Sequence, residues 1–174
     1  MSDKFFPQED YEIPVTSKYF KATEGEHTFR VMSSAIVGYV YFNIANKPIR
    51  SRVPFEETPI DMKPEGRINH FWSFVVWNYD TSSKKPMPRL QIFEVTQKTI
   101  QTPLKALIDN PKWGSPMTYD ITITRKGKGM QDTEYAVMPN PHTEVDVEAK
   151  EALEREKPNL EALYEGKDPF AKVA

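Results

Sequence analysis

The chain has 174 residues, no cysteine, three histidines and a formal net charge of -2. The missing cysteines exclude disulfide frameworks, thiolate metal sites and cysteine nucleophiles, and the scattered His27, His70 and His142 argue against a histidine-rich metal site. No apolar run approaches the roughly 20 residues of a membrane-spanning helix, and Met1 to Phe6 lacks the apolar stretch of a signal peptide, so the expectation is one intracellular domain. The modest net charge hides segregation: residues 1–26 carry net -3, residues 27–130 net +7 and residues 143–174 net -4. A basic body between acidic ends points to a polyanion as partner.

Residues 1–25, broken by Pro7 and Pro14, read as an N-terminal arm. Glu26–Met32 is the first strand expected, with Gly25 as a turn residue before it. Ile36–Asn43 is the second, placing Tyr39 and Tyr41 on one face and Val40 and Phe42 on the other. A turn at Asn46-Lys47-Pro48 leads to a short strand, Ile49–Val53, with Arg50 and Arg52 on a shared face. Residues 54–68 hold Pro54, Pro59, Pro64 and Gly66 and read as a loop. Residues 70–80 (HFWSFVVWNYD) are too short and too rich in β-formers for a helix, and both faces are apolar, so neither is a plain solvent face. Leu90–Val95 returns as a hairpin partner.

The period then changes. Ile100, Leu104, Leu107 and Ile108 fall at helical spacing, with Pro103 inside the run expected to kink or restart the helix. Tyr119–Lys126 is a strand, Gly127-Lys128-Gly129 a basic turn, and Glu134–Met138 the last strand, closed by Pro139 and Pro141. Residues 143–165 look helical and acidic, split by Pro158, and form either a docked helix or a mobile tail. The domain proper is therefore set at 26–142, with a C-terminal helical, acidic tail over 143–174.

Several strands, one helix and two further strands is the order of a five-stranded Greek-key oligonucleotide-binding (OB-fold) barrel with an inserted helix. Between residues 114 and 141, Gly114, Pro116, Tyr119-Asp120-Ile121, Ile123, Arg125, Gly127, Gly129, Thr133, Tyr135, Val137, Pro139 and Pro141 stand in an order that resembles the closing half of the single-stranded-DNA-binding proteins of tailed bacteriophages. Phe29-Arg30-Val31, Pro48-Ile49-Arg50 and Ile92-Phe93-Glu94-Val95 with Ile100 extend the resemblance over roughly residues 25–141. The resemblance implies an OB-fold protein that coats single-stranded DNA in replication, recombination or repair, in the cytoplasm of a bacterial host. It also implies contact with replication or recombination proteins through the tail. Some relatives carry zinc on cysteine and histidine; without cysteine, no metal or other cofactor is expected here.

Binding single strands regardless of sequence requires a basic groove and aromatic faces for stacking, the latter at roughly 1–3 kcal/mol per base. The candidate contacts are Arg30, Tyr39, Tyr41, Arg50, Arg52, Trp72, Trp77, Arg89, Arg125, Lys126 and Lys128. Tyr39 and Tyr41 are expected at the surface, and Arg50 and Arg52 to await an anion. The hairpin tip Arg125-Lys126-Gly127-Lys128 is expected to clamp a strand, and the tail to compete for the same groove. Gly127-Lys128-Gly129 lacks the spacing of a P-loop, and no catalytic constellation is recognisable, so the expected protein is not an enzyme. The alternative is an OB-fold module that binds protein and no nucleic acid.

Overall fold

The computed structural model describes Phe5 and residues 18–129 and 131–171. The expected N-terminal arm lies largely outside these residues. The fold is mainly β: one open antiparallel sheet of seven strands, with few helices. The strands are β1 (Gly25–Val31), β2 (Ile36–Phe42), β3 (Pro48–Ser51), β4 (Asn69–Asn78), β5 (Arg89–Val95), β6 (Tyr119–Lys126) and β7 (Glu134–His142). The helices are α1 (Lys98–Asp109) and α2 (Val147–Glu156), with 3-10 turns at Pro116–Thr118 and Leu160–Glu165. Among the described residues no helix is long and apolar enough to cross a membrane.

β4 organises the sheet. One of its edges pairs with β5 from Trp72↔Val95 to Asn78↔Arg89. The other edge is divided, β2 taking Asn69–Ser73 and β1 taking Val76–Asn78. β1 and β2 thus lie end to end, and residues 32–35 bulge out between them. Their outer edges then separate, β1 pairing with β6 and β2 with β3. β7 follows on β6, and no ladder joins it to β5 among the described residues, so the sheet stays open. The free edge of β5 is met by the N-terminal segment: Phe20 N–H donates to Ile92 O and Ile92 N–H to Lys18 O, each at 2.8 Å.

Two apolar layers explain why β4 is apolar on both faces. On one face Phe74 and Val76 meet Phe29, Phe93, Ile121 and Leu104 of α1. The rings pack edge-on, with Phe93 centroids 5.5 Å from Phe29 and 5.6 Å from Phe74. On the other face Val75, Trp77 and Leu90 meet Ala149 and Ala152 of α2. The small alanines let the helix lie close to the indole. The C-terminal segment is therefore docked, the first of the two alternatives left open by its sequence. Its 3-10 turn also reaches the sheet, where Tyr164 Oη donates to Val37 O at 2.5 Å.

Two proline expectations need revision. α1 runs through Pro103 as one helix. β7 likewise continues past Pro139 and Pro141 to His142, which is allowed because β7 lies at the end of the sheet, where a missing N–H breaks no further ladder.

Candidate nucleic-acid interface

The eleven residues singled out by sequence do not form one surface. Arg30 is fully buried. Its Nε donates to Asp120 Oδ1 at 2.8 Å, and its Nη atoms donate to Thr143 O at 3.0 Å and Thr143 Oγ1 at 2.7 Å. Tyr79 Oη donates to the same Asp120 oxygen at 3.0 Å. Desolvation, reinforced by the Asp120 charge, holds the Tyr79 phenol far above its ordinary range. Arg30 thus ties β1 to β6 and to the start of the C-terminal segment, and it offers nothing to a ligand.

Arg50 and Arg52 do not await an anion; each has a carboxylate. Arg50 makes a bidentate pair with Glu94, at 2.6 and 3.1 Å, and its side chain is 6% exposed. Arg52 pairs with Glu161 and lies 4.1 Å above the Tyr164 ring, so it secures the C-terminal turn. Arg89 is paired with Asp80 at 3.5 Å. Tyr41, expected at the surface, is buried; its Oη donates to Asp61 Oδ1 at 2.8 Å. Its partner in that expectation, Tyr39, is half-buried against His70. Phe42, expected on the inner face, is exposed instead. Trp77 is buried beneath α2, which removes it as a stacking platform. Trp72 is half-buried and faces a separate apolar hollow.

What remains is the β6–β7 hairpin, and it borders a groove of about 680 Å³. Gly127 opens the hairpin turn with φ +87°, and a Cβ there would sit 2.2 Å from Asp132 O, so the tip needs glycine. Asp132 in turn caps Gly129 N–H at 2.8 Å. This geometry presents Arg125 and Lys128 to the groove, with Tyr135 directly opposite Arg125 in the ladder. Arg67 and Asn69 from the entry to β4, and Gln97, Lys98 and Thr99 from the start of α1, complete the walls.

Four cations and one aromatic ring line this groove, and among the described residues no carboxylate does. Arg125 is half-buried, with its guanidinium 5.9 Å from the Tyr135 centroid. Among the described residues its hydrogen bonds are long, to Ala22 O at 3.4 Å and Thr133 Oγ1 at 3.5 Å. Its enclosed Nε has no hydrogen-bond partner among the described residues. Lys126 is exposed on the same hairpin but is not among the lining residues.

Arg67, Lys98 and Tyr135 were missed by sequence reasoning. Tyr135 was findable, because pairing the two predicted hairpin strands sets it beside Arg125. Lys98 and Arg67 were not, since only the fold brings a helix start and a proline-rich loop to one place. Among the described residues no group of three acidic or histidine side chains is placed to hold a metal ion. Comparison with known proteins yields no matching family model, no matching curated protein and no matching solved structure.

Proposed function

We propose that the protein binds single-stranded DNA without base specificity, with the hairpin groove as its backbone track. The observation that carries this reading is the groove itself: Arg67, Lys98, Arg125 and Lys128 converge with Tyr135, and no carboxylate joins them among the described residues. Cations held together at a solvated surface repel one another, and a polyanion relieves that repulsion while releasing its own counterions. Tyr135 offers a ring on which a base can stack, which every base can do because every base has a π-face.

The connectivity supports the same reading. β4 pairs with both β1 and β2, β1 pairs with β6 on its other edge, and the helix sits between β5 and β6 in the chain. We read this connectivity as that of an oligonucleotide-binding barrel whose β5–β7 side has stayed open. On this reading the protein coats DNA strands in phage replication, recombination or repair inside the host cytoplasm, and it carries out no chemistry.

Anisotropy of a labelled oligo(dT) titrated with the full chain, at several salt concentrations, tests the proposal. Tryptophan quenching is a poor readout, because Trp77 is buried, Trp72 faces its own hollow, and Trp113 stacks on His142 and is not among the groove residues. If each groove cation neutralises one phosphate, the log–log salt slope is about -3, at roughly -0.7 per contact on single strands. A slope near zero, or no binding at low salt, rejects the proposal and favours a protein-binding module.

A further inference from the structure

A second hollow lies on the α1 side of the sheet, and the groove chemistry does not involve it. We propose that it is a binding site for a neutral aromatic molecule of about two fused rings. The hollow measures about 380 Å³, within the range of about 300–1,000 Å³ typical of small-molecule sites. Its origin is the bulge between β1 and β2. Between Val31↔Val76 and Ile36↔Ser73, the chain spends four residues where β4 spends two. The surplus carries the small side chains Ser33, Ser34 and Ala35, so the roof is thin above the large rings of Trp72 and Phe74. Leu104 and Ile108 of α1 and Met117 form the remaining walls.

The lining selects the ligand. Among the described residues no charged side chain lines the hollow, so an ion entering it would lose hydration without gaining a partner. Two of the three serine hydroxyls are already engaged: Ser33 Oγ donates to Ser34 O and accepts from Val75 N–H, and Ser115 Oγ accepts from Met117 N–H. Apolar hollows bind apolar guests in preference to water. The Trp72 indole and the Met117 thioether favour a ring over an alkyl chain. Ile108 and Met117 at the rim are 38% and 39% exposed, apolar surface that a seated ligand would cover. This site does not depend on the DNA reading.

The neutral dye N-phenyl-1-naphthylamine, whose emission rises in apolar surroundings, is the probe. The full chain should bind it saturably, one molecule per chain. Ala35→Phe fills the roof from an exposed position and Ile108→Trp narrows the mouth. Each should weaken binding by about tenfold or more while circular dichroism and melting temperature show a folded protein. If one variant fails to fold, the other carries the test. Ile60→Ser, at an exposed isoleucine outside the hollow, should leave binding unchanged. The anionic analogue 1-naphthoate should bind at least tenfold more weakly. The proposal is overturned by an unsaturable signal, by wild-type affinity in a folded filling variant, by equal binding of 1-naphthoate, or by displacement of the dye with oligo(dT).

Discussion

Arg50 and Arg125 are arginines on strands of the same sheet, both partly enclosed, and their surroundings differ in one respect. Arg50 meets Glu94 in a bidentate pair, whereas among the described residues Arg125 meets a carbonyl, a hydroxyl and a ring, with no carboxylate. The difference extends to their neighbourhoods. Around Arg50 the face of β4 is roofed by the C-terminal segment, which brings Glu161 to Arg52 and Ala149 to Trp77. Around Arg125 the groove is lined by further cations and, among the described residues, by no carboxylate. A cation with its own carboxylate serves the fold; a group of cations without one is available to a ligand. The tail, expected to compete for the basic groove, instead covers the opposite face of β4 and completes the core.

The largest effects should come from uncovering that face. Trp77→Ala should cost about 3–5 kcal/mol, as for other buried aromatics, measured by urea denaturation. Deleting residues 143–174 should give a chain that is insoluble or melts much earlier, since it also removes the Thr143 acceptors from buried Arg30. A truncated chain that keeps its melting temperature would show that the docking is incidental.

Next comes Arg50→Met. Removing one partner of a buried pair typically costs 3–5 kcal/mol. About 3 kcal/mol is expected here, because Glu94 is 19% exposed and keeps some water. Oligo(dT) affinity of the folded variant should stay within about twofold. Lost affinity at unchanged stability would invert the roles assigned to the two arginines. Arg52→Ala should cost at most about 1 kcal/mol, because its pair with Glu161 is exposed on both sides and screened by solvent. A larger loss would mean that this pair and the Tyr164 contact hold the whole C-terminal turn.

The smallest effect concerns pH. The Tyr79 phenol titrates far higher in the folded chain than in the unfolded one, through burial and the Asp120 charge beside it. The unfolded state therefore loses its proton first, near pH 10, and stability falls as pH rises beyond that. Tyr79→Phe should make urea stability fall less steeply above about pH 10, and should cost about 1 kcal/mol at neutral pH through the lost hydrogen bond to Asp120. An unchanged alkaline slope would show that Tyr79 does not contribute to it.

The strands were legible because β-branched and aromatic runs alternate with turn residues along the chain, as in Tyr119–Lys126 and its return. The two apolar faces of β4 were legible as well, but what covers the second one was not. That cover arrives with Ala149 and Ala152, more than 70 residues after Trp77. The roles of the charges were hidden for the same reason. Arg30 and Asp120 lie 90 residues apart, and Arg50 and Glu94 lie 44 apart. From sequence, a paired arginine and an unpaired one look alike. The hairpin tip was readable because both sides of a two-strand turn are local. Arg67 and Lys98 required the sheet to bring them there.

The most direct test compares salt slopes of oligo(dT) binding for the wild-type chain, Lys98→Ala with Lys128→Ala, and Arg52→Ala. The account predicts that the groove double variant loses about 1.4 from the magnitude of the log–log slope, roughly 0.7 per lost phosphate contact. Its stability should stay within about 0.5 kcal/mol, as for surface substitutions generally, and Arg52→Ala should keep the wild-type slope. An unchanged slope in the groove variant, or a slope lost in Arg52→Ala, would contradict it.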